Sequence, residues 1–248
     1  MNTLKIIGGG GPTSCLSVRL QEIARYRLAN GCFPDFVDSG SQFDLYGSDI
    51  HNKVYGNFCP DESLPLLEFC HESQFGYYDK LDIVNLSRLA SVCCPLSEKI
   101  IELSRSFALR MENRTSVLYR GHEKVLETPR HSYEHMFSAA QDTGESRFFV
   151  QTDESEFFHA FKRNFPDSTR ITETTMLSRR ETANATGPYR PNNAVAFITT
   201  FIAAIKAVSM APKMITTTGN TGMWSCIFRG SLENVWQVNS REGSWRKL

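Results

Sequence analysis

The run Val117-Leu-Tyr-Arg-Gly-His-Glu-Lys-Val-Leu-Glu-Thr sets a fixed cation, a glycine, a second cation and two carboxylates just past an apolar strand. An arginine in such a place grips a diphosphate through two parallel charge-assisted hydrogen bonds. Gly121 would let a phosphate approach the backbone. The set suits stabilisation of a departing nucleoside diphosphate. On spacing alone the same residues also fit a solvated turn, with Arg120 and Lys124 paired to Glu123 and Glu127.

A second constellation is Thr216-Thr-Thr-Gly-Asn-Thr-Gly, between a strand and a helix. It offers hydroxyls, backbone amides and a helix N-terminus to an anion. The alternative is a cluster of helix-capping residues with no ligand. His131 and His135 stand four apart on an expected helix, a spacing that chelates metals, but no third ligand is near and a solvated pair is expected.

These groups need elements to hold them. Leu4 to Ile7 reads as a strand, Gly8 to Gly11 as a loop, and Leu16, Leu20, Ile23, Ala24 and Leu28 as one helix face. Gly31 and Pro34 stop that helix and Asp35 to Asp38 suggest a second strand. Residues 39 to 94 give no clear period. Beyond Pro95 the pattern predicts a helix through Ile100, Leu103 and Phe107, strand Ser116 to Tyr119, helix Ser132 to Gln141 and strand Phe148 to Gln151. It continues with helix Asp153 to Asn164, with Asp153 and Glu156 spaced as a capping pair, and strand Arg170 to Thr172. After a polar loop, Ser178 to Asn193, come the helix of Phe197, Ile198, Phe201, Ile205 and Val208, strand Lys213 to Thr216 and helix Met223 to Arg229. Strands alternating with helices predict a parallel sheet covered on both faces. Ligands meet such sheets at the carboxyl ends of the strands, here Arg120 to Lys124, Thr152 to Glu154, Glu173 and Thr216 to Thr221.

Lys+Arg and Asp+Glu are equal at 27 each, so no global field draws the chain to nucleic acid or an anionic membrane. Seven scattered cysteines without a CxxC pair fit a reducing compartment. No segment reaches the roughly 20 apolar residues of a membrane span, and the N-terminus lacks the pattern of a secretory signal, so a soluble, cytoplasmic protein is expected.

From Val117 to about Gly230 the chain resembles the catalytic half of the alpha-1,6-fucosyltransferase and protein O-fucosyltransferase superfamily, which includes the Nod-factor fucosyltransferases. That family has a strand ending in a His-x-Arg-Arg motif followed by an Asp-Lys pair, and Leu118-Tyr-Arg-Gly-His-Glu-Lys falls on it. Phe149-Val-Gln-Thr-Asp-Glu is similar to its Thr-Asp-Asp turn, Phe158 to Pro166 to the next helix, and Met214-Ile-Thr-Thr-Thr-Gly-Asn-Thr to its phosphate loop. The glycines at 8 to 11 resemble the loop that opens these enzymes. Leu118 and Gly121 depart from the motif where the family has histidine and its second arginine.

The resemblance implies an α/β protein of two Rossmann-like lobes, GT-B-like, with an acceptor-side lobe over 1–110 and a nucleotide-sugar lobe over 111–248. It implies an inverting, metal-independent glycosyltransferase that moves a sugar, fucose from GDP-fucose, to a glycan hydroxyl. No cofactor beyond the donor and no metal is expected; an Asp-x-Asp motif is absent. Arg120, Gly121, Asp153, Thr217, Thr218, Gly219, Asn220 and Thr221 would bind the donor, with Lys124 assisting and Glu173 reading the nucleobase. Glu127 would be the base, with Glu123 competing. Gly9, Gly10 and Gly11 would form the acceptor-side loop. The departures at 118 and 121 leave open a UDP-sugar or other GDP-sugar donor, or a nucleotide- or carbohydrate-binding module without turnover.

Overall fold

The computed structural model describes residues 2–8, 10–46, 50–121, 129–174, 176 and 194–248. The chain opens with β1 (Thr3–Lys5), α1 (Pro12–Asn30) and β2 (Phe36–Asp38). Pro12 occupies the first turn of α1, where its missing N–H is no loss, and Gly31 ends the helix in the left-handed region at φ 73°, its amide bonded to Arg27 O. β1 and β2 pair in parallel, Leu4 opposite Val37, as a strand–helix–strand unit should. Residues 39 to 94, without a period in the sequence, form 3-10 turns at Gly40–Tyr46, His71–Phe75 and Tyr78–Lys80, with α2 (His51–Val54) and α3 (Ile83–Cys93). Asp82 caps α3 by accepting from Asn85 N at 3.1 Å.

The rest is regular: α4 (Glu98–Arg110), β3 (Thr115–Tyr119), α5 (Tyr133–Asp142), β4 (Phe148–Thr152), α6 (Ser155–Asn164), α7 (Ala194–Val208), β5 (Met214–Thr217), α8 (Asn220–Arg229), β6 (Val235–Asn239) and β7 (Ser244–Lys247). The sheet order is β4-β3-β5-β6-β7, parallel except for β7, whose antiparallel pairing with β6 the sequence pattern did not indicate.

Alternation along the strands decides which helices cover which face. Val117, Tyr119, Phe148, Val150, Ile215, Trp236 and Val238 point to one side, where α5 and α6 bring Met136, Phe157 and Phe161. Leu118, Phe149, Met214 and Val235 point to the other, onto α7 and α8. Both faces are thus buried, which is why these strands read as continuous apolar runs. The second core runs unbroken from Ile6 to Val235, joining α1, α3 and α4 to α7 and α8. No described helix is long and apolar enough to cross a membrane.

Two local expectations fail. Residues 170–172 are not a strand; one parallel bridge joins Thr169 to Phe149, after which Arg170 Nη1 takes the carbonyls of Ile171 and Thr174 and turns the chain away. Asp153 does not cap α6. Glu154 is the cap position, without a side-chain bond to the helix, and the Asp153 carboxylate is engaged elsewhere.

Phe157 is fully buried, its ring stacked on Tyr119 at 3.9 Å between centroids. Phe157→Ala should cost about 3–5 kcal/mol in chemical denaturation, whereas Leu109→Ala, at a side chain 79% exposed, should stay within about 0.5 kcal/mol.

Candidate functional site

The chain leaves β3 for a neighbour on one side, β4, and later returns to β5 on the other side. Sheets of this kind take ligands in the crevice beyond the carboxyl ends of the strands at such a reversal, here the ends of β3 and β5. Arg120 and Gly121 stand at the end of β3, and Thr217 to Thr221 at the end of β5.

Asp153, just after β4, organises the β3 side. Its Oδ2 lies 3.1 Å from Arg120 Nη1 and its Oδ1 accepts the Gly121 amide at 3.0 Å. The pair is largely withdrawn from water, with side-chain exposures of 20% and 16%. The Arg120 guanidinium also lies over the Phe201 ring of α7, 5.4 Å from its centroid. A carboxylate on one flank and a ring on another aim the cation before any ligand arrives.

Packing also requires a glycine at 121. A Cβ there would run into the Glu154 carboxylate and the Tyr119 ring. Glu154 is fully buried, its carboxylate accepts the Tyr133 hydroxyl, and its amide donates to Thr152 Oγ1 at 3.1 Å. Tyr119 in turn donates to His131 O at 3.2 Å. His131 is buried and precedes α5, so it shares no helix face with His135.

The β5–α8 loop is more enclosed than its sequence suggests: Thr216, Thr217, Thr218, Asn220 and Thr221 are all buried. Its amides already have acceptors. Thr218 N donates to Val238 O at 3.1 Å, Gly219 N to Gln74 O at 2.7 Å and Asn220 N to Gln74 Oε1 at 2.9 Å. Gln74 therefore caps α8, from a segment in which the sequence offered no assignment. Tyr78, also fully buried, donates its hydroxyl among Thr217 O at 3.2 Å, Gly219 O at 3.0 Å and Gln74 O at 3.4 Å. The Thr217 hydroxyl finds no hydrogen-bond partner among the described residues. Gly222 fits only without a side chain, since a Cβ would strike Thr217 O and come within 2.8 Å of Thr216 Oγ1.

The loop also meets the start of α1. Thr13 Oγ1 and Thr221 Oγ1 are 3.3 Å apart, Asn220 Nδ2 donates to Ser14 Oγ at 2.9 Å, and Asn220 Oδ1 accepts from Ser17 Oγ at 2.8 Å. Trp224 Nε1 completes the network on Ser17 Oγ at 2.8 Å. The first turns of α1 and α8 thus lie side by side, with Gly10 and Gly11 at the head of α1. Two helix N-termini sum their positive ends there. A Cβ on Gly11 would meet nothing within 4 Å and one on Gly10 only Ser14, so these glycines leave open space before the helices.

Glu173 is engaged by a cation of α4. Arg110 holds both its oxygens, at 2.9 and 3.2 Å, in a half-exposed pair that keeps the carboxyl below its usual pKa. Lys124, Glu127, Glu123 and Gly9 lie outside the described residues. Gln74, Tyr78 and Tyr133 carry no sequence signal of this role; Thr13, Ser14 and Ser17, a polar cluster at the head of an otherwise apolar helix face, left a visible trace.

Fold and side chains together define an α/β protein whose mostly parallel sheet sets Arg120, Asp153 and the Thr217 to Thr221 loop at one end, where its strand order reverses. Crystal structures of the NodZ alpha-1,6-fucosyltransferase are similar to it. The one co-crystallized with GDP aligns at a TM-score of 0.56 and 10% identity, over 95% of this chain and 93% of that one. The one soaked with GDP-fucose aligns at 0.53 and 12%, over 95% and 92%. At these identities the likeness is one of fold, and the fold is fucosyltransferase-like. No family profile matches the chain, and no curated protein matches it by sequence.

Gln74→Ala should lower stability by about 1–2 kcal/mol and, in hydrogen exchange, raise the rate at Asn220 before the rest of α8. Gly222→Ala should cost more, about 2–3 kcal/mol, because the clash is with backbone.

Proposed function

We propose that the chain is a glycosyltransferase that binds a nucleotide sugar in the crevice beyond β3 and β5 and transfers the sugar to a glycan hydroxyl. The observation that carries this reading is Arg120, fixed by Asp153 at the end of β3, with the neighbouring strand β5 leading into the loop that meets the first turn of α1. The likeness to a fold crystallised with GDP and GDP-fucose supports it and favours GDP-fucose as donor.

In this reading Arg120 faces the diphosphate and neutralises charge as it develops on the leaving group. Asp153 is a positioning residue for Arg120, and Gly121 keeps the β3 turn close to Glu154. Thr217, Thr218, Gly219, Asn220 and Thr221 line the donor side with hydroxyls and the helix end, while Gly10 and Gly11, with Gly9, open the acceptor side. Residues 1–110 serve the acceptor and 111–248 the donor. Glu127, or Glu123 in its place, takes the proton of the acceptor hydroxyl, whose oxygen attacks the anomeric carbon opposite the diphosphate. The new glycosidic bond forms as the bond to phosphate breaks, and its electron pair leaves on the diphosphate, so the configuration inverts. Lys124 assists the departure, Glu173 is a candidate for the nucleobase, and no metal is required.

The first test is thermal stabilisation by GDP and by UDP with EDTA present. At a hundredfold excess over Kd a ligand selective for the native state adds about 2.7 kcal/mol, or roughly 5–10 °C for a chain of this size. GDP should stabilise more than UDP, and Arg120→Ala should abolish the shift. A response to neither nucleotide would remove the transferase reading. With GDP-fucose and a glycan acceptor, Glu127→Gln should reduce turnover by about 10²-fold or more without altering the GDP shift; unchanged turnover would move the base to Glu123.

A further inference from the structure

A pocket of about 260 Å³ lies between α3, α4, α7 and α8. It sits at the opposite end of the sheet from Arg120: α7 runs past Lys206 into the start of β5, and α8 runs past Phe228 into the start of β6. Leu96, Ile101, Ile227 and Phe228 make its walls apolar, and Ser87 and Lys206 add a hydroxyl and an ammonium. Ligand pockets for drug-sized molecules span about 300–1,000 Å³, so this one takes something smaller.

Lys206 is the unusual member. It is half-buried, yet no carboxylate of the described residues pairs with it; its Nζ donates to Phe228 O at 3.2 Å and lies 5.2 Å from the Phe228 ring centroid. Burial alone pushes its pKa below the ordinary lysine value. A partly desolvated cation at the wall of an apolar cavity gains from an anion that brings apolar surface with it. One positive charge calls for one negative charge, since a dianion would leave a surplus charge poorly solvated.

We propose that this pocket binds a small amphipathic monoanion, a carboxylate on a short apolar tail, with the carboxylate at Lys206 Nζ and Ser87 Oγ and the tail along Leu96, Ile101 and Ile227. The site is separate from the crevice at Arg120 and does not rest on the transferase reading.

Calorimetric titration of the full chain with octanoate, 1-octanol and octylamine, at neutral pH and low salt, tests it. The expected result is saturable one-to-one binding of octanoate, at least tenfold tighter than octanol, with no binding of octylamine. Lys206→Met should erase the preference over octanol, Lys206→Arg should keep it, and Arg120→Ala should leave octanoate binding unchanged. Equal affinity for octanoate and octanol, or no saturable octanoate binding, would overturn the proposal. So would octanoate binding that persists unaltered in Lys206→Met or disappears in Arg120→Ala. Ser87→Trp, which sets a large ring on the pocket wall, should block the ligand while circular dichroism reports an intact fold; undiminished binding there would count against the site. If Lys206→Met fails to fold, the comparison of three ligands on the unaltered protein decides.

Discussion

A helix that begins inside a protein brings with it amides that no preceding turn can satisfy, and leaving one buried amide without an acceptor costs about 1–3 kcal/mol. α8 begins in this way, and Gln74 supplies both its side-chain and its main-chain oxygen to the first two amides. Much of the surrounding arrangement follows. Tyr78 reaches the same loop carbonyls, and its own amide is held by Gln237 Oε1 at 2.9 Å, so the 74–78 segment is tied to β5, α8 and β6 together. The loop it secures then stands against the first turn of α1. The crevice is built from parts of the chain that are distant in sequence and fixed to one another by polar contacts withdrawn from water.

What could be read in the sequence was what leaves a local period. β3, β4 and β5 are short apolar runs because both faces of the sheet are covered, and α7 shows its stripe because it packs on that sheet and on α4. Arg120, Asp153 and the threonine loop were found because strand ends collect polar groups, and the structure brings those elements to one side of the sheet. Their partners were less visible. A capping residue 146 positions away from the amide it satisfies leaves no local signal. Asp153 looked like a helix cap because its spacing to Glu156 fits one, but a partly buried arginine beside it is the stronger claimant for a carboxylate. Gly121 has a second, steric reason to lack a side chain, since its neighbours Glu154 and Tyr119 come from packing that spacing does not encode.

Charge is distributed in the same economical way. The chain has no net charge, and the two cations that matter most are each placed against a ring: Arg120 over Phe201 of α7, Lys206 beside Phe228 of α8. The first also has a carboxylate to aim it, the second does not. One is therefore held in direction and the other carries a charge that no carboxylate among the described residues balances.

The cap on α8 also orders events in time. Gln74 lies 146 positions from Asn220, and closing so long a segment is slow compared with forming a helix or a neighbouring strand pair. The crevice therefore depends on a contact between distant segments, and it is exposed to whatever lifts residues 74–78 away.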